Sequence, residues 1–200
     1  KVALSVVFAP LLGFVGAFAA MVALMWILRR SAPDRVRSIF SNLQILSAAF
    51  MAYSHGKNDG QMPIGVITLA LVIYTGRGQF WEQIPWVVVV ISSLTISLGT
   101  ALGGWRVIRT LGLRVTDLRP VHGFAAESAA ASVIEVASFL GIPVSTTHCI
   151  SSAVMGVGAT RRLSAVRWGV ARNIVAAWIL TFPICAATGW IFNQIFATIW

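Results

Sequence analysis

Long apolar stretches alternate with short polar or basic segments along this chain. Several of these stretches contain about 20 residues without a charge, which is enough α-helix to cross the ~30 Å hydrocarbon core of a bilayer. The cleanest is 85–103, and the others lie at 2–28, 38–74, 121–140, 144–159 and from the last basic group to about 196. The pattern predicts an all-α integral membrane protein, with residues 1–200 forming a single transmembrane domain.

The stretch at 38–75 is interrupted by the polar run HGKNDG at 55–60. About 37 residues of helix would be too long for one straight span at a rise of 1.5 Å per residue. We therefore predict a broken transmembrane helix over 38–75, interrupted near the middle of the bilayer.

A second interruption, GIP at 141–143, divides the segment 121–160 into two apolar arms. The two arms either cross the membrane twice or form a hairpin that enters and returns, and we predict a re-entrant helical hairpin. Interrupted helices inside a bilayer are typical of transporters, where the freed amides and carbonyls bind the substrate and the coupling ion.

Charged residues make up only 10% of the chain, whereas soluble domains carry roughly 25%. The net charge is +9, and the basic residues, nearly all Arg, fall in three groups at 29–37, 104–119 and 161–172. Short basic groups between apolar stretches are typical of cytoplasmic loops. We predict that all three groups face the cytoplasm at the plasma membrane. Nucleic acid is excluded as a partner because no soluble surface is large enough to hold a duplex.

The start of the chain permits two interpretations. The small residues Ala17 and Ala19, on either side of Phe18, would suit cleavage of a signal peptide. However, the apolar stretch continues to Leu28 and ends at Arg29 and Arg30, which favours a spanning helix. Because the first residue is Lys1, we interpret the sequence as a piece of a longer protein.

Asn58 and Asp59, in the first polar run, are candidates for binding a coupling cation. An aspartate near the bilayer centre costs about 3 kcal/mol or more, so it is expected to face a cavity, a cation or a partner. Carboxylate and amide oxygens are hard ligands that suit Na⁺, and Asp59 would alternatively carry a proton. The simpler explanation is that one of the two residues caps the following helix. His55 and Gln61 are candidates for supporting this site.

Ser145, Thr146 and Thr147 follow Pro143 and are predicted to open a helix. The start of a helix offers free N–H groups and a positive dipole end, which together bind oxyanions. The three hydroxyls would add donors without a buried Arg. The alternative is an ordinary helix cap, and His148 is a candidate for supporting either arrangement.

Glu127 and Glu135 lie in a segment otherwise made of Ala, Ser and Val. Small residues let helices approach closely, so this segment is predicted to be buried among other helices. Glu127 is a candidate cation ligand, or it pairs with an Arg at the membrane face. Glu135 lies deeper and has less support from its surroundings in the sequence.

The motifs HGKND at 55–59 and GIPVSTTH at 141–148 together resemble the inorganic phosphate transporter (PiT) family, most closely its bacterial low-affinity members. The similarity extends through GVITLAL, GWRVIRTLG, GFAAESAAA, MGVGA and WGVARNIVAAW. Either motif alone would be a weak signal, but their order and the extent of the similarity cover nearly the whole chain.

The resemblance implies a secondary transporter built from two inverted repeats, of which this chain resembles the second. Phosphate, free or as a metal complex, would bind between the repeats and be driven by Na⁺ or H⁺, with no other cofactor and no enzymatic activity. The first repeat and the lipid bilayer are the implied partners, and a homodimer is a further expectation. The implied phosphate ligands are Asn58, Ser145, Thr146 and Thr147, and the implied cation ligands, including those for Na⁺, are Asn58, Asp59 and Glu127.

The sequence departs from the family pattern just after Asp59. Bacterial relatives more often carry AQKTMG where this chain has GQMPIG at 60–65. Met62 replaces the usual lysine and Pro63 is gained. The family pattern therefore does not fix the local electrostatics or the identity of the coupling ion in this chain.

Three other functions remain as alternatives. A sulfate or other oxyanion permease would use the same fold, because hydroxyl and amide groups bind any tetrahedral anion. A membrane phosphatase is suggested by the similarity of PVSTTH and Glu127 to undecaprenyl-diphosphate phosphatases, but their arginine-bearing Ser-Arg-Ser motif does not occur here. Finally, the chain by itself would be an inactive fragment until a second copy or the other repeat is supplied.

Overall fold

A computed structural model describes the backbone of residues 2–199 and the side chains of residues 5–198. Within these residues the chain is helical and contains no strand. The helices are α1 (Val2–Ile27), α2 (Pro33–Thr75), α3 (Gln79–Glu82), α4 (Trp86–Gly103), α5 (Trp105–Arg109), α6 (Pro120–Phe139), α7 (Thr146–Ala159) and α8 (Trp168–Ile199). A π-helical turn at Thr110–Val115 and a 3₁₀ turn at Leu163–Ala165 complete the connections.

Three helices are long and apolar enough to cross a membrane, namely Ser5–Ile27, Trp86–Gly103 and Trp168–Thr198. The third is almost entirely exposed, with large apolar side chains such as Ile179, Phe182 and Trp190 on its surface. Since apolar surface on this scale is unfavourable in water, a lipid environment explains it. The prediction of an all-α chain with membrane-spanning helices is thus confirmed.

The predicted break in the segment 38–75 is wrong, because α2 continues as one helix of 43 residues through the polar run. A helix of this length extends about 64 Å, so it exceeds the thickness of the hydrocarbon core without breaking. Gly56 and Gly60 each cost about 1 kcal/mol in a helix interior, and packing against α6 and α7 outweighs that cost. Pro63 lies within α2 and has no N–H to donate to the carbonyl of Asp59, four residues earlier.

The segment predicted as a hairpin consists of α6 and α7, which pack side by side and are joined by residues 140–145. The turn depends on Gly141, whose φ of 64° is a conformation that side chains disfavour. With 14 residues, α7 extends only about 21 Å and is too short to cross the hydrocarbon core. Whether the hairpin is re-entrant in a bilayer stays a prediction.

The core lies around this hairpin, which is wedged between α1 and α2. Small residues allow α1 and α7 to approach so closely that a Cβ added to Gly156 would lie 2.2 Å from the carbonyl oxygen of Phe14. A Cβ added to Gly13 would lie 2.6 Å from the carbonyl oxygen of Cys149. Close contact between backbones at small residues is the usual way in which helices associate within membranes.

The three basic groups meet at one end of the molecule, which we call the basic end. The loop between α1 and α2 lies beside the start of α6, where Leu28 and Arg37 line the same cavity as Arg119. The third group joins them because the guanidinium of Arg167 donates to the carbonyl of Leu113 at 2.7 Å. This arrangement is compatible with the prediction that the three groups face the same side of a membrane.

Candidate functional site

Asp59 lies where the middle of α2 meets the start of α7. Its carboxylate accepts hydrogen bonds from the Thr146 hydroxyl, at 3.0 Å to Oδ2 and 3.3 Å to Oδ1. The amide Nδ2 of Asn58 donates to Oδ1 of the same carboxylate at 2.9 Å. Two motifs that are separated by more than 80 residues in the sequence therefore form one polar cluster, as we expected from the resemblance.

His55 completes this cluster from one helical turn before Asp59. Its Nδ1 lies 2.9 Å from the Thr146 hydroxyl oxygen and 3.3 Å from Oδ2 of Asp59. Because the Thr146 hydroxyl donates its hydrogen to the carboxylate, its oxygen is left to accept from His55. In this arrangement of hydrogens, the protonated ring nitrogen is Nδ1. His55 thus contacts the hydroxyl that bonds to Asp59, and its supporting role stays a prediction.

Asn58 connects α2 to the turn of the hairpin. Its Nδ2 donates to the carbonyl of Val144 at 3.0 Å, and its Oδ1 accepts from the Ser138 hydroxyl at 3.4 Å. These contacts reach both sides of the connection 140–145. Sequence reasoning missed Ser138, although it lies three residues before the Gly141 turn, where a side chain on the last turn of α6 would face a neighbouring helix.

The three predicted hydroxyl residues at 145–147 differ in their exposure and their hydrogen-bond partners. Thr146 is only 2% exposed and faces Asp59, so its hydroxyl is already engaged. Ser145 caps α7, accepting a hydrogen bond from the backbone N–H of His148 at 3.4 Å. Thr147 is exposed on the other side of the helix start. Of the three hydroxyl-bearing residues among the predicted phosphate ligands, only Ser145 and Thr147 are therefore exposed.

A small open cavity of about 300 Å³ adjoins this cluster, between α2 and the hairpin turn. Asn58, Gln61 and Met62 line it from α2, and Ser138 and residues 141–144 line it from the hairpin. Gln61 is exposed here, and its supporting role stays a prediction. The space is large enough for a small ligand and is open to the outside.

Glu127 lies apart from Asp59, closer to the basic end along the contact between α2 and α6. Its Oε2 accepts from the Ser47 hydroxyl at 2.6 Å, and the side chain of Gln44 also bonds to the carboxylate. Glu127 lies 11 residues before Ser138 on α6, or about 16 Å along the helix. Of the three predicted cation ligands, Asn58 and Asp59 are thus in contact, and Glu127 is not brought together with them. Ser47 and Gln44 were missed, although their spacing of three residues places them on one face of α2.

Lys57 and Glu135 form an ion pair between α2 and α6, with Nζ 2.8 Å from Oε2. The pair is partly exposed and lies one turn closer to the basic end than the contact between Asn58 and Ser138. Lys57 therefore does not neutralise Asp59, its near neighbour in the sequence. Lys57 instead pairs with Glu135, the glutamate that had less support than Glu127 from its surroundings in the sequence.

His148 does not face Asp59. Its ring lies against Trp178 of α8, with ring centroids 4.2 Å apart. This contact connects the start of α7 to α8, and a supporting role for His148 stays a prediction.

No group of three or more His, Cys, Asp or Glu side chains is placed to hold a metal ion among residues 5–198. A transition-metal site needs such a set of ligands. An alkali cation does not, because one carboxylate with neutral oxygens around it is sufficient in charge and hardness. The cluster at Asp59 has this composition.

Comparison with known proteins gives a consistent result. A model of the phosphate transporter family matches residues 1–189. A probable low-affinity inorganic phosphate transporter of Rhizobium meliloti is 44% identical over 93% of this chain and 55% of that protein. One from Bacillus subtilis is 36% identical over 98% of this chain and 60% of that protein. The chain spans about half the length of these curated relatives, which are transporters rather than enzymes.

A solved structure described as "The sodium-dependent phosphate transporter" has the same arrangement of helices. The TM-score is 0.70 at 34% identity, covering 86% of this chain and 45% of that one. The likeness in fold therefore extends over most of the helices described above.

Proposed function

We propose, since this chain belongs to the phosphate transporter family, that it forms part of a secondary transporter which moves inorganic phosphate across a membrane together with a cation. The carrying observation is that the Asp59 carboxylate contacts Thr146, the first residue of α7, at the helix start that would bind the anion. A negative charge in this position makes the binding of phosphate depend on a cation.

The phosphate would bind at the start of α7, beside the cavity lined by Asn58 and Gln61. Free backbone N–H groups and the positive end of the helix dipole favour an oxyanion there. The exposed hydroxyls of Ser145 and Thr147 and the amide of Asn58 add donors. Thr146 acts indirectly, since its hydroxyl is held by Asp59.

Asp59 would couple the anion to the cation through electrostatics. Two like unit charges 4 Å apart repel by about 4 kcal/mol at an effective dielectric constant of 20. Phosphate at the start of α7 would experience a repulsion of this order from an ionised Asp59. A Na⁺ ion or a proton on the carboxylate removes the repulsion, so the anion and the cation bind together more favourably than either does alone.

Several oxygens near Asp59 suit a Na⁺ ion. Both carboxylate oxygens, Oδ1 of Asn58 and the carbonyl of Val144 lie in the cluster. The carbonyl of Asp59 itself has no helical donor, because Pro63 occupies the position that would supply the N–H. A proton on Asp59 would need none of these neutral ligands. Coupling to Na⁺ would therefore depend on the neutral ligands, whereas coupling to a proton would not.

Glu127 would be a second position that binds a cation, closer to the basic end than Asp59. It offers a carboxylate with the hydroxyl of Ser47 and the amide of Gln44 beside it. This is again a set of hard oxygen ligands with one negative charge.

The membrane arrangement follows from the basic end. Its Arg groups would face the cytoplasm of a plasma membrane according to the positive-inside rule. The hairpin would be re-entrant, and an inverted repeat would supply the opposing half of the site. Alternating access would then result from the rocking of one repeat against the other.

The test is uptake of radiolabelled phosphate by liposomes that contain the full-length protein to which this chain belongs. Na⁺ and pH gradients are imposed separately, and excess sulfate is added in a parallel series. We expect uptake that is driven by one of the two gradients and resists sulfate. Uptake that ignores both gradients would contradict coupling at Asp59, and equal inhibition by sulfate and unlabelled phosphate would contradict selectivity for phosphate.

A further inference from the structure

We propose that a cavity at the basic end binds an anionic phospholipid by its headgroup phosphate. This cavity has a volume of about 670 Å³ and lies between the end of α1, the start of α2 and the start of α6. Arg37, on its wall, is 22 residues before Asp59 on α2, or about 33 Å along the helix. The cavity is thus distinct from the phosphate site proposed above and does not depend on it.

Two guanidinium groups, those of Arg37 and Arg119, line the cavity from different helices. Both residues are exposed, and neither forms an ion pair with any side chain among residues 5–198. Guanidinium groups bind phosphate oxygens through pairs of charge-assisted hydrogen bonds. Two arginines that line one cavity and lack an ion-pair partner among residues 5–198 would therefore be available to bind a phosphate group.

Asp34 also lines the cavity and carries the opposite charge. It lies in the first turn of α2, where a carboxylate stabilises the helix dipole, and it pairs with neither Arg37 nor Arg119. Two arginines and one aspartate leave the wall with one net positive charge. A headgroup with a single negative charge balances this wall.

The remaining wall is apolar and favours a lipid over a free phosphate ion. Met21, Met25 and Leu28 line it along one side of α1, in the direction of the span. Unbranched methionine side chains adapt to irregular apolar ligands such as an acyl chain. A free phosphate ion would contact the arginines but would leave this apolar surface uncovered.

The position of the cavity also favours an anionic phospholipid. It lies at the basic end, where the positive-inside rule places the cytoplasmic leaflet, whose lipids carry the negative surface charge. Basic pockets between membrane helices on this side are suited to anionic headgroups. A headgroup held by both arginines would bridge α2 and α6, the helices that also carry Asp59 and the hairpin.

The test measures phosphatidylglycerol retained by the purified full-length protein after detergent exchange, using native mass spectrometry, with phosphatidylcholine as the uncharged comparison. We expect the wild-type protein to retain phosphatidylglycerol in preference to phosphatidylcholine. Arg37→Gln or Arg119→Gln should weaken retention about five-fold each and the double variant about thirty-fold. Arg77→Gln, which removes an exposed arginine at the opposite end of α2, is the matched control and should retain the lipid.

Three results would overturn the proposal. The first is equal retention of the two lipids, and the second is unchanged retention in the double variant. The third is displacement of the lipid by millimolar inorganic phosphate, which would identify a site for the free ion instead. If the double variant fails to fold, the two single variants and Asp34→Asn decide the matter, because removing the carboxylate should leave binding unchanged or tighten it.

Discussion

The short helix α7 contacts α1 and α2 in two different ways. Against α1 it presents small residues, and the backbones approach so closely at Gly156 that a methyl group would not fit beside Phe14. Against α2 it presents Thr146, which is bonded to a carboxylate that is 37% exposed. The first contact depends on shape and the second on charge and hydrogen bonds.

Under the proposed function, this difference distinguishes a rigid side of the hairpin from a side that would respond to ions. Close-packed interiors resist any change of volume, so the contact between α1 and α7 is expected to stay rigid. In the proposed mechanism, the contact between α2 and α7 would change its energy when Asp59 gains or loses a cation. Helix α7 would then be held by α1 on one side and respond to the cation on the other.

The largest expected effect comes from removing the charge on the α2 side. Asp59→Asn in the full-length protein should abolish cation-dependent phosphate uptake, because the neutral amide has no charge for a cation to neutralise, takes up no proton and does not repel phosphate. The measurement is the uptake rate in liposomes with and without each ion gradient. Glu82→Gln removes an exposed carboxylate in α3 and should leave uptake unchanged. Wild-type cation dependence in Asp59→Asn would refute the coupling role.

The next largest effect is expected on the α1 side. Gly156→Ala places a methyl group against the backbone of Phe14, and overpacking of this kind costs about 1–3 kcal/mol of stability. We expect a lower midpoint of thermal unfolding in detergent, with cation dependence retained in the folded fraction. Gly99→Ala is the matched control, since nothing lies within 4 Å of the added Cβ. Equal midpoints for the two variants would contradict the rigid contact.

A smaller effect is expected from Thr146→Val, which keeps the shape of the side chain and removes its hydroxyl. The Asp59 carboxylate and Nδ1 of His55 both lose a partner. Losing such a partner costs about 1–3 kcal/mol, so we expect phosphate uptake to fall about ten-fold or more. Thr146→Ser restores the hydroxyl and should restore uptake. If Val and Ser variants behave alike, the hydrogen bond to Asp59 has no role in transport.

The smallest effect is expected at the ion pair between Lys57 and Glu135. Partly exposed pairs contribute little, because water and salt screen them. Lys57→Met and Glu135→Gln, measured alone and together by thermal unfolding, should show weak coupling that decreases with added salt. Strong coupling that is independent of salt would mean that this pair, rather than the cluster at Asp59, sets the position of α2 against α6.

The residues of the proposed site were predictable, but their roles only in part. His55 and Asp59 contact Thr146, and Asn58 contacts the carbonyl of Val144, so the two motifs lie together. The separation of Glu127 from Asp59 was not predictable, because it depends on which turns of α2 and α6 lie at the same level. The roles of these residues in binding phosphate or a cation remain predictions until uptake is measured.

The sequence alone determined the membrane environment, the basic end and the two polar motifs. These follow from composition over short windows, since the free energy of transfer into a bilayer is nearly a sum over local residues. Only the tertiary structure decided that α2 stays continuous, that Thr146 rather than its neighbours contacts Asp59, and that Lys57 pairs with Glu135. Those outcomes depend on partners about 80 residues away, whose packing outweighs local helix propensity.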